Sequence, residues 1–225
     1  MRVLILNNYA HVTGGADLHC LGITAGLRQR GHDVEWLATA TPKNVETRGV
    51  FVPLTVAAGT RDTLSWLLKV NAARLAVWNP AARGAMDELI DSFDPDVVHV
   101  HKSYVQLSVA PIVEASRRGI PIVQTVHDYE FLSASPFDAS GGFWDRDESR
   151  FSYQALNSIT GLIKRTVHTR KVARWISVSE AVSRSYESIG GIRSTVIPNF
   201  TDISGRSPEP LDGREGVLYL GRLSK

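Results

Sequence analysis

The sequence predicts an α/β fold, in which a mostly parallel sheet carries helices on both faces. Two observations support this prediction. Short apolar runs, typical of buried strands, alternate along the chain with longer amphipathic stretches, typical of helices. Glycine and proline fall at many of the junctions between them. This alternation is the pattern of parallel strands that are joined by helical crossovers.

The first part of the chain supplies a strand, a turn and a helix. The continuous apolar run in RVLILNN predicts a strand that is buried on both faces. A turn at Thr13-Gly14-Gly15 then leads into a helix over ADLHCLGITAGLRQRGH, which we expect to end at Gly31. We expect its buried face to carry the apolar side chains, namely Leu18, Leu21, Ile23, Ala25 and Leu27. The next predicted strands are DVEWLAT and GVFVPLTV.

The remaining elements continue the alternation. Helices are predicted at TLSWLLKVNAARLAVW and at AARGAMDELIDSF, where Pro80 suits a helix start. Then follow the strand PDVVHVH, the helix VQLSVAPIVEASRRG and the strand IPIVQTVH. After an irregular stretch from Asp128 to about Arg150 come a helix to about Ala173, the strand WISVS, the helix EAVSRSYESIG and the strand STVIPN. A linker and a short strand, VLYL, close the sequence.

The composition restricts the class of protein. The chain has 225 residues, of which 43% are hydrophobic, and this is enough to build a core. A net charge of +2 argues against nucleic acid as the main partner. The single cysteine, Cys20, leaves no internal disulfide and suits a reducing cytoplasm. The sequence shows no signal-peptide pattern and no apolar stretch near the roughly 18 residues of a membrane span. We therefore predict a cytoplasmic protein, with at most a surface contact to a membrane.

Residues that follow the strands are the candidates for chemistry, because ligands of parallel sheets bind beyond the carboxyl ends of the strands. Gly14 and Gly15 lie between a strand and a helix. Glycine permits positive φ and close approach of the backbone, and a helix N-terminus attracts anions such as phosphate. The alternative is a plain tight turn, since neither a G-x-G-x-x-G motif nor a Walker motif is present.

Three histidines follow or end strands. His99 and His101 lie two apart on one strand and therefore point to the same face. We expect His101 to line a cleft and His99 to be a buried, hydrogen-bonded residue. A metal site would need a third ligand, and no nearby spacing supplies one, so no metal is predicted. His127 directly follows a strand, where a neutral imidazole suits a substrate hydroxyl. The adjacent Asp128 would orient it or cap the next turn.

Two further stretches leave alternatives open. The helix over 163–174 is strongly basic, which suits a solvated face or a contact with anionic lipid or an anionic acceptor. The loop over 129–150 carries Phe137, Phe143 and Trp144, which would stack on sugar or lipid or form a small core of their own. The acidic pair at Asp145 and Asp147 is interpreted as solvated charge.

Six motifs together resemble one family. They are Gly14-Gly15-Ala16-Asp17, PDVVHVH, TVHDY, ISVSEAV, VIPNF and GRLSK. In this order and spacing they resemble the retaining glycosyltransferases of the GT-B fold, in the large subfamily called group 1 or family 4. The resemblance implies two Rossmann-like, doubly wound domains that face each other across a cleft. The N-terminal domain binds the acceptor, and the C-terminal domain binds the nucleotide-sugar donor.

The resemblance also implies roles for particular residues. Gly14, Gly15 and Arg222 match the groups that contact the donor diphosphate, where positive charge stabilises the leaving group. His127 matches the histidine that contacts the transferred sugar near its reacting carbon. The other candidates for substrate binding are Asp17, which stands where the family usually has glutamate, and His101, Asp128, Glu180 and Asn199. The donor would be a UDP- or GDP-linked sugar, used without a cofactor, and the acceptor a carbohydrate or a lipid-linked molecule.

The same resemblance predicts the domain organisation. Residues 1–200 would form the acceptor-binding domain, 201–216 a linker, and 217–225 the start of a donor-binding domain. Without the rest of that domain the chain would be inactive, since such an enzyme works largely by holding donor and acceptor together. One alternative is a non-catalytic sugar- or nucleotide-binding module that a separate chain completes. Another, weaker alternative is a sugar-nucleotide epimerase.

Overall fold

The computed structural model describes residues 1–53, 71, 74–103, 106–129 and 151–200, with the side chains of 151–160 excepted. The predicted linker over 201–216, the strand that follows it and Arg222 lie outside the described residues. The same holds for most of the predicted helix TLSWLLKVNAARLAVW and for the loop that carries Phe137, Phe143 and Trp144.

Seven parallel strands form one sheet, which confirms the predicted fold class. The strands are β1 (Arg2–Leu6), β2 (Asp33–Thr39), β3 (Val50–Val52), β4 (Val97–Val100), β5 (Ile122–Val126), β6 (Arg174–Ser177) and β7 (Thr195–Val196). Their order across the sheet is β3-β2-β1-β4-β5-β6-β7, and each neighbouring pair is parallel. The order reverses between β1 and β4, so the carboxyl ends of these strands flank the crevice where doubly wound sheets bind ligands.

In the described part of the chain, five helices with defined bounds connect the strands. They are α1 (Gly15–Gln29), α2 (Pro80–Phe93), α3 (Ala110–Arg117), α4 (Phe151–Lys171) and α5 (Glu180–Gly190). Residues 74–77 are also helical. The predicted helix VQLSVAPIVEASRRG is too long at its N-terminus, because residues 106 and 107 form a turn, 108 and 109 are irregular, and the helix begins only at Ala110.

The two faces of the sheet bury different side chains of the same strands, as the alternation within a strand requires. Leu4 and Leu6 of β1 join Val98 and Val100 of β4 in a core under α2 and α3. On the opposite face, Val3 and Ile5 pack with Cys20 of α1 and with residues of β2. A smaller cluster joins Trp175, Val182 and Tyr186 between β6 and α5. Helices therefore cover both faces of the sheet, as predicted.

The predicted buried face of α1 is confirmed at Leu21 and Leu27, which pack against the core, and is wrong at Leu18 and Ala25. Leu18 is 60% exposed and Ala25 is also exposed, whereas Asp17, His19 and Cys20 are buried. The helix turns polar side chains toward the sheet because they find hydrogen-bond partners and ring contacts there. The predicted end of the helix is confirmed by Gly31, which adopts the left-handed conformation at φ +80°.

A buried carboxylate ties α2 to α3. Glu114 accepts hydrogen bonds from Arg117 of α3 and from Nε of Arg83 in α2, the latter at 2.8 Å. These hydrogen bonds, first that from Arg117 and then that from Arg83, lower the pKa of Glu114 to about 2. The pairing satisfies a charge that would otherwise be costly to bury.

The basic helix differs from the prediction at two residues. Lys164 is only 7% exposed and does not belong to a solvated face. Arg174 lies in β6 rather than in the helix, which ends at Lys171. Among the described side chains of α4, the exposed ones are the apolar Leu162 and Ile163, Thr169, and the basic Arg170 and Lys171.

Candidate functional site

Strand register places a group of histidines on the face of the sheet that α1 covers. In β1 and β4, Ile5 is the register partner of His99, and Ile5 belongs to the α1-side core. His101 follows β4 with the same parity as His99 and therefore has the same orientation. His127 follows β5, whose Val123 pairs with His99, so its parity matches as well. His19 reaches the same place from the second turn of α1.

The four rings form a compact group, which we call the histidine cluster: His19, His99, His101 and His127. The centroids of His99 and His101 are 4.3 Å apart, and those of His101 and His127 are 5.4 Å apart in a stacked arrangement. His19 meets His127 edge to face at 5.2 Å. His99 Nε2 lies 2.8 Å from Thr125 Oγ1, so the expectation of a buried, hydrogen-bonded His99 is confirmed.

Burial keeps the cluster neutral. It lowers the pKa of His127 to about 4, assisted by the charges of His19 and Lys102 and opposed by Asp128 and Asp17. It also lowers the pKa of His99 to about 4 and that of His101 well below the ordinary value. Because each ring would repel a second charge beside it, the cluster presents neutral imidazoles at physiological pH.

The tautomers of His101 and His127 are coupled. His101 Nδ1 lies 3.1 Å from His127 Nε2, so one of these nitrogens carries the hydrogen and the other accepts it. The two remaining nitrogens, His101 Nε2 and His127 Nδ1, are buried and have no hydrogen-bond partner among the described residues. One of them must be a donor and the other an acceptor. The pair can therefore match either polarity of a substrate hydroxyl by exchanging tautomers.

A buried polar frame holds the loop between β1 and α1. Asn7 donates to Tyr9 O at 2.8 Å and to Asp17 Oδ1 at 2.9 Å. Asp17 Oδ2 accepts from the backbone N–H of Thr13 at 3.2 Å and from the Thr13 hydroxyl. Asn7 Oδ1 accepts from the backbone N–H of Lys102 at 2.9 Å. Asp17 is predicted as a candidate substrate contact. Both of its carboxylate oxygens instead accept hydrogen bonds that hold the loop.

Gly14 and Gly15 stand at the N-terminus of α1. Gly14 is the N-cap residue, with φ at −169°, and it offers no side chain to cap the helix. The expectation that these glycines serve positive φ is wrong at Gly14, whose extended backbone any residue can adopt. What glycine supplies is space, because a Cβ at either position would meet nothing within 4 Å. The first-turn amides are therefore open to an anion.

Asp128 lies beside His127 but pairs with a lysine. Its Oδ2 lies 3.2 Å from Lys102 Nζ, and its backbone oxygen accepts from Tyr186 Oη at 3.0 Å. Since His127 Nδ1 has no hydrogen-bond partner among the described residues, Asp128 does not hold that nitrogen. Its charge instead raises the pKa of His127, against the larger effect of burial.

The structure places the other predicted residues apart from the histidine cluster or at its rim. Glu180 is exposed in the first turn of α5, where Ser179 caps the helix. Asn199 is exposed after β7. Its neighbour Phe200 reaches the cluster, with its ring 5.2 Å from that of His19.

Sequence reasoning missed His19, Asn7, Lys102 and Phe200 as parts of the site. The prediction that no nearby spacing supplies a third ligand to His99 and His101 considered neighbours in sequence only, and His19 joins His101 and His127 from another element. A usable signal was available. His19 lies in the second turn of the helix that leaves the carboxyl edge of β1, where a polar residue faces the ligand crevice.

Among the described residues, no helix combines the length and the apolar character needed to cross a bilayer.

Comparison with known proteins gives the chain a family. The model of Glycosyltransferase Family 4 matches residues 13–204, which is most of the chain. The phosphatidyl-myo-inositol mannosyltransferase of Mycolicibacterium smegmatis is 29% identical to this chain over 228 residues. That match covers 99% of this chain and 51% of the relative, so the chain spans about half the length of the curated relative that it matches.

Solved structures agree on the fold. The sucrose-phosphate synthase of Thermosynechococcus elongatus superposes with a TM-score of 0.51 at 10% identity, over 88% of this chain and 47% of that chain. A UDP-N-acetylglucosamine 2-epimerase from Rickettsia bellii gives a TM-score of 0.50 at 12% identity, over 88% of this chain and 45% of that one. Identities this low support the Rossmann-like half of a GT-B fold and nothing about activity. The family match decides against the epimerase alternative, and the chain belongs to glycosyltransferase family 4.

Proposed function

We propose that this chain is the acceptor-side domain of a retaining glycosyltransferase, which moves a sugar from a nucleotide-sugar donor to an acceptor. One observation carries the proposal. A neutral imidazole with a buried, unpartnered nitrogen, His127 Nδ1, lies at the carboxyl edge of the sheet beside the start of α1. Family membership gives the reaction class, and this group gives the place where the sugar would bind.

The neutral state of His127 suits the contact that we propose. A neutral imidazole hydrogen-bonds a sugar hydroxyl without placing a positive charge beside the reacting carbon, where positive charge develops as the glycosidic bond to the leaving group breaks. The coupling to His101 lets His127 Nδ1 act as donor or acceptor. Protonation of the cluster would remove that choice, because a protonated imidazole only donates.

The donor diphosphate would lie at the N-terminus of α1. Gly14 and Gly15 leave space for a phosphate, and the helix dipole favours its charge. Arg222 would contact the same phosphates from the donor domain that the chain enters at 217–225. We propose a UDP- or GDP-linked sugar as the donor, used without an added cofactor.

The proposed acceptor is a carbohydrate or a lipid-linked molecule. The name of the mycobacterial relative describes mannosyl transfer to phosphatidyl-myo-inositol, which favours a lipid-linked polyol. The exposed Leu162, Ile163, Arg170 and Lys171 of α4 would suit a peripheral contact with an anionic membrane on its cytoplasmic face. Co-sedimentation with anionic vesicles that is unchanged by charge reversal at Arg170 and Lys171 would remove this contact.

The proposed arrangement divides the chain into an acceptor domain over 1–200, a linker over 201–216 and the first strand of a donor domain over 217–225. The chain would be inactive without a donor domain, because donor and acceptor would no longer be held together.

The test is turnover of a protein in which this chain is joined to a donor domain. Release of nucleoside diphosphate is measured with a panel of UDP- and GDP-sugars, for wild type, His127→Ala and the control His32→Ala. We expect His127→Ala to lower kcat by about 100-fold or more, the effect typical of a lost polar group near developing charge. The control should keep wild-type turnover. Equal turnover of His127→Ala and wild type would remove His127 from the site, and binding without any transfer would favour a non-catalytic module.

A further inference from the structure

The histidine cluster has a second property that sugar binding does not require. One ring nitrogen from each of His19, His101 and His127 lies within 4.8 Å of those of the other two. His19 and His101 are buried and His127 is half-buried, so the group opens to solvent on the His127 side. Glycosyl transfer does not require three imidazole rings around one point.

We propose that His19, His101 and His127 form a binding site for a divalent transition metal of the zinc class. Three histidines with a fourth position left open form a common zinc ligand set. Imidazole nitrogen suits Zn²⁺, Co²⁺, Ni²⁺ and Cu²⁺, whereas Mg²⁺ prefers oxygen ligands. The site is therefore selective by ligand type. It stands apart from the proposed function, because it needs neither donor nor acceptor.

The geometry of two of the rings is close to what a metal requires. Zinc binds imidazole nitrogen at about 2.0–2.1 Å, so two ligands of a tetrahedral site lie about 3.3 Å apart. His101 Nδ1 and His127 Nε2 are 3.1 Å apart, as a hydrogen-bonded pair. A metal would replace the shared proton at nearly the same separation. The ligand nitrogens of the three rings lie within 4.8 Å of one another. The ring of His19 would supply the third ligand after a shift of at most about 1.5 Å, toward the spacing of a tetrahedral zinc site.

The electrostatics also prepare the group for a cation. His19 Nδ1 is buried and has no hydrogen-bond partner among the described residues, so this nitrogen is available as a ligand. Buried polar atoms without partners are uncommon and call for an explanation. Asp17 and Asp128 lie close enough to influence His127 and would offset part of the charge of the ion.

Metal occupancy would interfere with sugar binding, because an ion on His127 Nε2 fixes the hydrogen on Nδ1, the nitrogen proposed to contact the sugar. Micromolar Zn²⁺ should therefore inhibit the joined transferase, and Mg²⁺ should not. This consequence is separate from the binding test below, which uses no substrate.

The test is calorimetric titration of the chelator-treated full chain with Zn²⁺, repeated with Co²⁺ to record the visible absorption of tetrahedral cobalt. We expect one ion per chain. His19→Gln, His101→Gln and His127→Gln should each weaken binding at least about tenfold, and His32→Gln should not. Circular dichroism verifies that each variant is folded.

X-ray absorption of the wild-type zinc complex keeps the proposal testable if a variant fails to fold. We expect the outer-shell scattering of three imidazoles. Absence of stoichiometric binding, a spectrum without imidazole scattering, or equal affinity of His19→Gln and wild type would overturn the proposal.

Discussion

At the residue scale, the site depends on polar side chains that are buried and neutral. The histidine cluster has few charged partners, and its hydrogen bonds run through Thr125 and between the rings. Gln124 supports the cluster through the backbone, since its Nε2 donates a hydrogen bond to His101 O at 2.8 Å. Gln124 Oε1 accepts in turn from His168 Nδ1 at 3.1 Å, which links α4 to β4 and β5.

His168 gives a pH prediction. Burial, with a smaller effect of Lys164, lowers its pKa from 6.5 to about 3. The unfolded chain binds this proton below pH 6.5 and the folded chain does not, so the stability that His168 contributes is present above pH 6.5 and is lost as the pH falls toward 3. One such group gives a slope of about 1.4 kcal/mol per pH unit in that window.

The measurement is urea unfolding at several pH values between 6.5 and 4, for wild type and His168→Asn, in which the amide takes the place of Nδ1. We expect the unfolding free energy of His168→Asn to depend less steeply on pH than that of wild type, by the contribution of about one proton. The exposed change Thr169→Ser on the same helix is the control. Parallel pH profiles of wild type and His168→Asn would contradict the prediction.

At the element scale, α1 carries Gly15 and the N-cap residue Gly14, part of the polar frame and one histidine of the cluster. The helix also contacts the ring of Phe200, which lies at the C-terminal end of the described residues. A Cβ at Gly22 would lie 2.6 Å from Phe200 Cζ, whereas a Cβ at Gly26 would meet only Arg30 Nη1 at 3.5 Å. Gly22 is therefore the place where Phe200 fits against the helix.

These two glycines give a matched pair of variants. Gly26→Ala should stabilise the protein by about 0.5–1 kcal/mol, as alanine does in a helix interior. Gly22→Ala should give a smaller gain or a loss, because the new methyl group displaces Phe200 from His19. The difference should disappear in a Phe200→Ala background. Denaturant midpoints are measured for all six proteins, three in each background, and equal gains at both glycines in the Phe200 protein would show that the contact is absent.

The N-terminus of α2 depends on Asn79. Its Oδ1 accepts from the N–H groups of Ala81 at 3.0 Å and Ala82 at 3.2 Å, and its Nδ2 donates to Gln106 O at 2.7 Å. Asn79→Ala removes both functions and should cost about 1–3 kcal/mol in urea unfolding. Asn79→Asp keeps the cap but loses the donor, so its cost should fall between those of wild type and Asn79→Ala. Equal stability of Asn79→Ala and wild type would show that the cap contributes nothing.

At the scale of the whole molecule, the fold is predictable because its signals are local. Apolar runs, the helix stop at Gly31 and the helix start at Pro80 mark elements without knowledge of the tertiary structure. The predicted start of α3 is misplaced because VQLSV is apolar, although residues 106–109 are non-helical. The buried face of α1 was misassigned because tertiary hydrogen bonds bury Asp17 and His19 in preference to Leu18.

The site is predictable only in part, because it is assembled from distant elements. Parity along β4 identifies His99 and His101 as neighbours, and position identifies His127. The addition of His19 depends on how α1 packs, and that information is not local. The unexpected third histidine in turn supports the proposed metal site.

The most direct test of the account is a crystal structure of the joined two-domain protein with a sugar nucleotide bound. The account predicts that a ring nitrogen of His127 lies within hydrogen-bond distance of a hydroxyl of the transferred sugar. It also predicts that the diphosphate contacts the backbone of Gly14 and Gly15 at the start of α1. A productive complex in which the sugar and the diphosphate bind away from both groups would contradict it.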